Sequence, residues 1–176
     1  AKGTKVTNLP KSKMLNQVPW VSQFVPYYTP KGCAGASMTM LLRSKGVNVS
    51  LKYVQDNLPM YPAVSGGQIG NPYSIYGFKR VIQPDALTNY AKRWYPYVRN
   101  ITGYTPAQIK KEVLSGHPVL YIGCSSYHRG GPARNHCKVI TGYKNGKFRV
   151  YDPLYNTAFD KPMSQGLGVY DRGPIH

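Results

Sequence analysis

Apolar residues recur every three to four positions from Cys33 through Ala34, Met38, Leu41 and Leu42, which predicts a helix with one apolar face that starts at Cys33 and stops at Gly46. Before it, "VPWVSQFVPYY" (18–28) carries two prolines that preclude a helix, so residues 1–32 read as an irregular arm and strand, with 1–16 as an extended arm. A short helix is expected in "SLKYVQDNL" with Ser50 as its N-cap, and another in "PDALTNYAKRW" from Pro84. "TPAQIKKEVLSG" is the clearest helix: Thr105 and Gln108 form a capping box, Pro106 takes the first position and Gly116 lies past the end. Between the second and third helices, residues 59–78 hold many prolines and glycines and no helical period, which predicts a long loop.

The period then changes. "PVLYIGC" (118–124), "HCKVITGY" (136–143) and "KFRVYD" (147–152) read as strands, and Asn145-Gly146 sits where a tight hairpin turn needs positive φ. Helices followed by strands predict an α+β fold with an antiparallel sheet. The length of 176 residues suits one domain over 1–176.

Charge changes this picture from outside. The formal net charge is +17, divided almost equally between the halves of the chain, and no run of like charges marks a basic tail. A folded, cationic surface that favours polyanions is therefore expected, either a teichoic-acid-like wall polymer, lipid headgroups or nucleic acid. Nucleic acid ranks lowest, because no helix-turn-helix, zinc or aromatic RNP pattern is present. No apolar run is long enough for a membrane span. The polar start "AKGTKVTN" suits a chain whose leader has been removed, and an exported, cell-surface bacterial protein is expected.

Three cysteines cannot all pair within one chain. No C-x-x-C occurs and the four histidines lack zinc spacing, so neither a metal nor another cofactor is expected. Cys124 and Cys137 fall on segments expected to neighbour each other, which leaves a disulfide and two separate buried thiols both open.

Cys33 lies at a predicted helix N-terminus, whose partial positive charge stabilises a thiolate; a buried, inert thiol is the plainer alternative. His136 opens a strand after a Gly- and Pro-containing loop and can face a cleft, unless it is simply hydrogen-bonded beneath that loop. Strand alternation then turns Cys137 to the opposite face, into the core and away from His136. The hairpin returns Asp152 alongside His136, where a carboxylate can hold one ring nitrogen and leave the other for a sulfur, although Asp-Pro is also an ordinary turn starter. Gln23, ten residues before Cys33, can aim its amide at an oxyanion together with the Cys33 backbone N–H. Candidate substrate contacts are Gly32 and Asn135, which precede the cysteine and the histidine, His128 in the Gly-rich loop, and Tyr73 and Tyr76 in the long loop. His117, between a helix stop and a strand, is read as structural.

"VPWVSQFVPYYTPKGCAGASMTMLL", "NPYSIYGF", "SGHPVLYIG" and "NHCKVITGYKNGKFRVYDPLYN" resemble the successive motifs of papain-fold cysteine peptidases related to the bacteriocin-leader (double-glycine) peptidases, in their stand-alone exported branch. The resemblance covers roughly residues 17–156 and implies a papain-like fold. It implies Cys33 as nucleophile, His136 as general base and acid, Asp152 as the orienting residue and Gln23 as oxyanion donor. After the nucleophile the family commonly shows Gly-Pro, where this chain has Ala34-Gly35. A thiol hydrolase of peptide or isopeptide bonds is the expected function. The alternatives are a Cys-His cell-wall amidase or endopeptidase, and a basic binding module that keeps the scaffold without turnover.

Overall fold

Helix α1 (Cys33–Ser44) begins at Cys33, with Gly32 as its N-cap, in the computed structural model, which describes residues 9–124, 135–154 and 167–171. It is buried on more than the single face its period predicts. Cys33, Ala34, Met38 and Leu42 pack against a helical layer, while Ala36 and Met40 join a cluster built on the sheet. A helix covered on both sides must satisfy its polar side chains internally. Thr39 does so by donating its hydroxyl to the Gly35 carbonyl (2.7 Å), and Ser37 by donating to the carbonyl of Cys137 (3.1 Å). Gly46, at φ 82°, stops the helix as expected: its N–H returns to the Arg43 carbonyl and that of Val47 to Leu42, the double bond of a Schellman cap.

The helical layer is completed by α2 (Leu51–Asp56), capped by Ser50, and α3 (Pro84–Ala91), with Pro84 at its start. Helix α4 (Pro106–Leu114) carries the full Thr105–Gln108 capping box. The expected strands form as β2 (Val119–Cys124), β3 (Asn135–Lys144) and β4 (Lys147–Tyr151), joined antiparallel, and the β3–β4 turn places Asn145 and Gly146 at φ 53° and 79°. Two further strands extend this sheet. β1 (Lys13–Met14) pairs with the far end of β3, and β5 (Leu167–Asp171) pairs along all of β4. The segment expected as an extended arm over 1–16 is thus tied into the sheet from residue 13, with Leu15 buried in the core. Arg149 holds it there, donating to the Leu15 carbonyl and to Asn16 Oδ1.

Helices packed on an antiparallel sheet make the fold α+β. One detail of the sheet decides the site. Strand β4 ends at Tyr151, opposite Val139, whereas β2 continues beside β3 to Asn135. Residues 135–138 therefore have a paired edge towards β2 and none towards β4, and α1 packs against β3.

Candidate active site

His136 and Asp152 meet where β4 stops. The Nε2 of His136 lies 2.6 Å from Asp152 Oδ1, with both residues buried. That oxygen also accepts the Leu154 N–H at 2.9 Å, and the Trp20 indole donates to the Asp152 backbone carbonyl at 2.9 Å. The carboxylate is thereby fixed from its own turn and from the segment before α1. With Nε2 engaged, Nδ1 is the nitrogen left for the hydrogen bond that His136 makes with Cys33.

Cys33 sits at the first helical position, and no acidic residue in the first turn offsets the helix's positive end. Its thiol is held well below the ordinary range by a hydrogen bond from the Cys137 thiol first and by His136 second, against burial, which works the other way. Burial also opposes the charged form of His136. The Asp152 carboxylate and the Cys33 sulfur outweigh it and push the ring up to about 10. Both shifts favour the same proton distribution, a thiolate beside an imidazolium.

Cys137 is buried in the core as the sequence reading has it, but its role is not separate from the site: it lies in one buried cluster with Cys33, and the two side chains are hydrogen-bonded. Strand alternation separates neighbours when the strand is viewed from its faces, but Cys33 approaches β3 at the edge that β4 leaves open. From an edge, one sulfur can meet both neighbours and also the Cys137 backbone N–H. Cys137 is a free thiol, so the disulfide with Cys124 is not formed. The register supports this, since Cys124 opposes Asn135 and Cys137 opposes Ile122.

Gln23 is buried near the site, yet its Nε2 is already engaged with the Thr29 and Pro30 carbonyls, each at 3.2 Å. Two other buried glutamines, which sequence reasoning did not single out, continue the pattern. Gln68 Nε2 donates to the Lys31 carbonyl (3.2 Å), and Gln55 Nε2 to that of Gly32 (2.8 Å). Every carbonyl from 29 to 32 thus accepts a glutamine amide, and this cradle sets the backbone that delivers Cys33. Its signal in the sequence is indirect: Gly32 and Gly35 both lie where a Cβ would run into the Gln55 amide. No acceptor for the Cys33 N–H lies among the described residues, which leaves that donor pointing out of the helix start.

Of the candidate substrate contacts, Gly32 is the N-cap beside Cys33, while Tyr73 and Tyr76 lie on the long loop, which is pinned to the cradle by the Lys31 N–H to Pro72 carbonyl bond. The Tyr73 hydroxyl donates to Asp56 and, through burial and that carboxylate, is pushed up to about 12; Tyr76 is 81% exposed. Asn135 opens β3, its side chain outside the description, and His128 lies outside the described residues. His117 is exposed and bonded to Glu112, which Arg99 also engages, remote from the cysteine. A cavity of about 860 Å³ lies behind α1, between α3, residues 95–104, α4 and β2, and none of Cys33, His136 or Asp152 lines it. Among the described residues no group of His, Cys, Asp or Glu is arranged to hold a metal, and no helix is long and apolar enough to cross a membrane.

The model of the Peptidase_C39 like family matches residues 15–172, a span that includes every residue of this site. The chain belongs to that family. Its fold is also that of a solved Bacillus anthracis protein described as a C39-like peptidase, with a TM-score of 0.68 at 23% identity, over 84% of this chain and 85% of that one. No curated protein matches the sequence. Membership makes this a peptidase-type, papain-like α+β chain with a peptide as the implied class of substrate.

Proposed function

We propose that this C39-like chain is a cysteine peptidase that hydrolyses a peptide or isopeptide bond through Cys33. The observation that carries the reading is the relay Cys33–His136–Asp152, with the cysteine at the N-terminus of a helix and a 2.6 Å carboxylate–imidazole bond behind it. The thiolate attacks the carbonyl carbon. The oxyanion that develops accepts from the Cys33 N–H and, once one of its two carbonyl partners is released, from the Gln23 amide. His136 Nδ1 gives its proton to the leaving amine; the neutral ring then takes a proton from water, which attacks the thioester and frees the acyl product. Asp152 holds the ring in register throughout. Gly32, Tyr73, Tyr76, His128 and Asn135 are the proposed contacts for the substrate chain.

The +17 charge supports an extension of this reading: the enzyme is exported and held at an anionic bacterial envelope, a teichoic-acid-like polymer being the partner. The test of the catalytic claim is hydrolysis of a mixed peptide library and of isolated wall fragments by wild-type protein and Cys33→Ala. Turnover of either by the wild type, abolished in the variant, is expected. Cleavage of peptides but not wall amides excludes the amidase reading, and undiminished hydrolysis by Cys33→Ala overturns the mechanism.

A further inference from the structure

In the site described above Cys137 serves only as a hydrogen-bond donor to Cys33, yet its placement supports a second chemistry. Cys33 keeps 5% of its surface open to solvent and Cys137 none, so a small oxidant that enters the site reaches Cys33 alone. Their sulfurs are in hydrogen-bonding contact across the open edge of β3. The contact is held from both sides. Ser37, one helical turn after Cys33, bonds the Cys137 carbonyl, and the Ile122 pairing fixes the strand behind it. Two thiols that share one buried cluster on abutting elements need little backbone movement to reach bonding distance.

We propose that Cys33 and Cys137 form a reversible oxidation site for hydroperoxides, in which Cys137 resolves oxidised Cys33 as an intramolecular disulfide. The Cys33 thiolate attacks the terminal oxygen of the hydroperoxide and, with one proton taken up, gives Cys33 sulfenic acid and an alcohol, or water when the oxidant is hydrogen peroxide. The Cys137 thiol then displaces hydroxide from that sulfur, and its proton leaves with the hydroxide as water. Sulfur loses two electrons in all and the peroxide gains them. A dithiol returns them and restores both thiols. The disulfide shields the nucleophile from over-oxidation to the irreversible sulfinic acid.

This inference rests on Cys33 being a reactive thiolate, and the experiment separates the two claims. Trypsin places the three cysteines in different peptides, 32–43 for Cys33, 112–129 for Cys124 and 135–138 for Cys137. The full chain is treated with equimolar hydrogen peroxide, remaining thiols are blocked and the digest is weighed; a parallel sample is first probed with iodoacetamide. The expected product is peptide 32–43 joined to 135–138, formed together with loss of iodoacetamide labelling at Cys33, both reversed by dithiothreitol. With a second equivalent of peroxide, Cys33 in Cys137→Ser and Cys137→Ala is expected to go on to sulfinic acid, which dithiothreitol does not reverse, while the wild type stops at the disulfide. Rapid labelling of Cys33 with no cross-link in wild-type protein overturns the oxidation site and leaves the peptidase reading standing. Neither labelling nor cross-link overturns both.

Discussion

At the scale of single residues, the site is three ionisable groups that set one another's protonation. The Cys33 thiol is lowered by Cys137 and His136, and the His136 ring is raised to about 10 by Asp152 and Cys33. The proposed ion pair is therefore expected above the depressed thiol value and below about 10. Hydrolysis is expected to be flat through neutral pH and to fall near pH 10, where the imidazolium that protonates the leaving amine is lost. Alkylation of Cys33 does not need that proton and persists there. A thiol pKa left in the ordinary range would move the acid limb of both profiles up to about 8.5. The same linkage acts on stability. A raised histidine stabilises the fold fully below its unfolded value of about 6.5 and loses that contribution as pH climbs through the folded value. A depressed thiol does the reverse, stabilising above its unfolded value and losing the effect as pH falls through the folded one. Cys33, His136 and Asp152 were legible in the sequence because each stands at a boundary where a turn or a helix start announces itself. The burial of Cys137 was legible but its contact with Cys33 was not, since alternation along a strand does not reveal that one edge of that strand is bare.

At the scale of elements, the helix that carries Cys33 is delivered by its approach segment, whose carbonyls from 29 to 32 are held by Gln23, Gln68 and Gln55. Gly35 is the permissive partner of this arrangement, because a methyl group there occupies the space of the Gln55 amide. Gly35→Ala should improve local helix propensity, and on that ground alone would stabilise the chain by up to about 1 kcal/mol. Displacing a buried amide from its acceptor costs about 1–3 kcal/mol and wins. The variant is expected to have a lower urea midpoint and slower Cys33 alkylation, whereas an unchanged midpoint and rate would mean that the cradle does not position the cysteine. Helix starts and stops were readable from Ser50, Pro84, the Thr105–Gln108 box, Gly46 and Gly116, which satisfy an orphan backbone group locally or, in the case of Pro84, remove one. The glutamines were not, because their partners lie far along the chain and a lone Gln carries no periodic signal. Strand β1 escaped because two residues are too short to establish a period, and β5 because "LGVYD" (167–171) lacks the polar–apolar alternation that Lys147–Val150 shows in the equally short β4.

At the scale of the molecule, the α+β class followed from the order of helical and extended segments, and the family match spans 15–172. The charge of +17 has no counterpart in the Cys33–His136–Asp152 relay, so the proposed envelope attachment should be separable from the proposed turnover. Binding to a polyphosphate probe is expected to weaken steeply as salt rises, because a charge spread over the surface is screened within about 8 Å at physiological ionic strength. Cys33→Ala should bind as the wild type does. Salt-independent binding, or binding lost in that variant, would contradict an electrostatic tether. The central claim is narrower, that Cys33 is a thiolate made by its neighbours. The most direct test is the rate of Cys33 carboxamidomethylation by limiting iodoacetamide at pH 6, mapped by peptide mass in wild-type protein and in His136→Ala. An ordinary thiol, with a pKa of about 8.5, is almost wholly protonated at that pH and reacts slowly. The account predicts fast labelling confined to Cys33 and a marked slowing in His136→Ala. Labelling of Cys33 no faster than that of an unfolded control, or equally fast without the histidine, would contradict it.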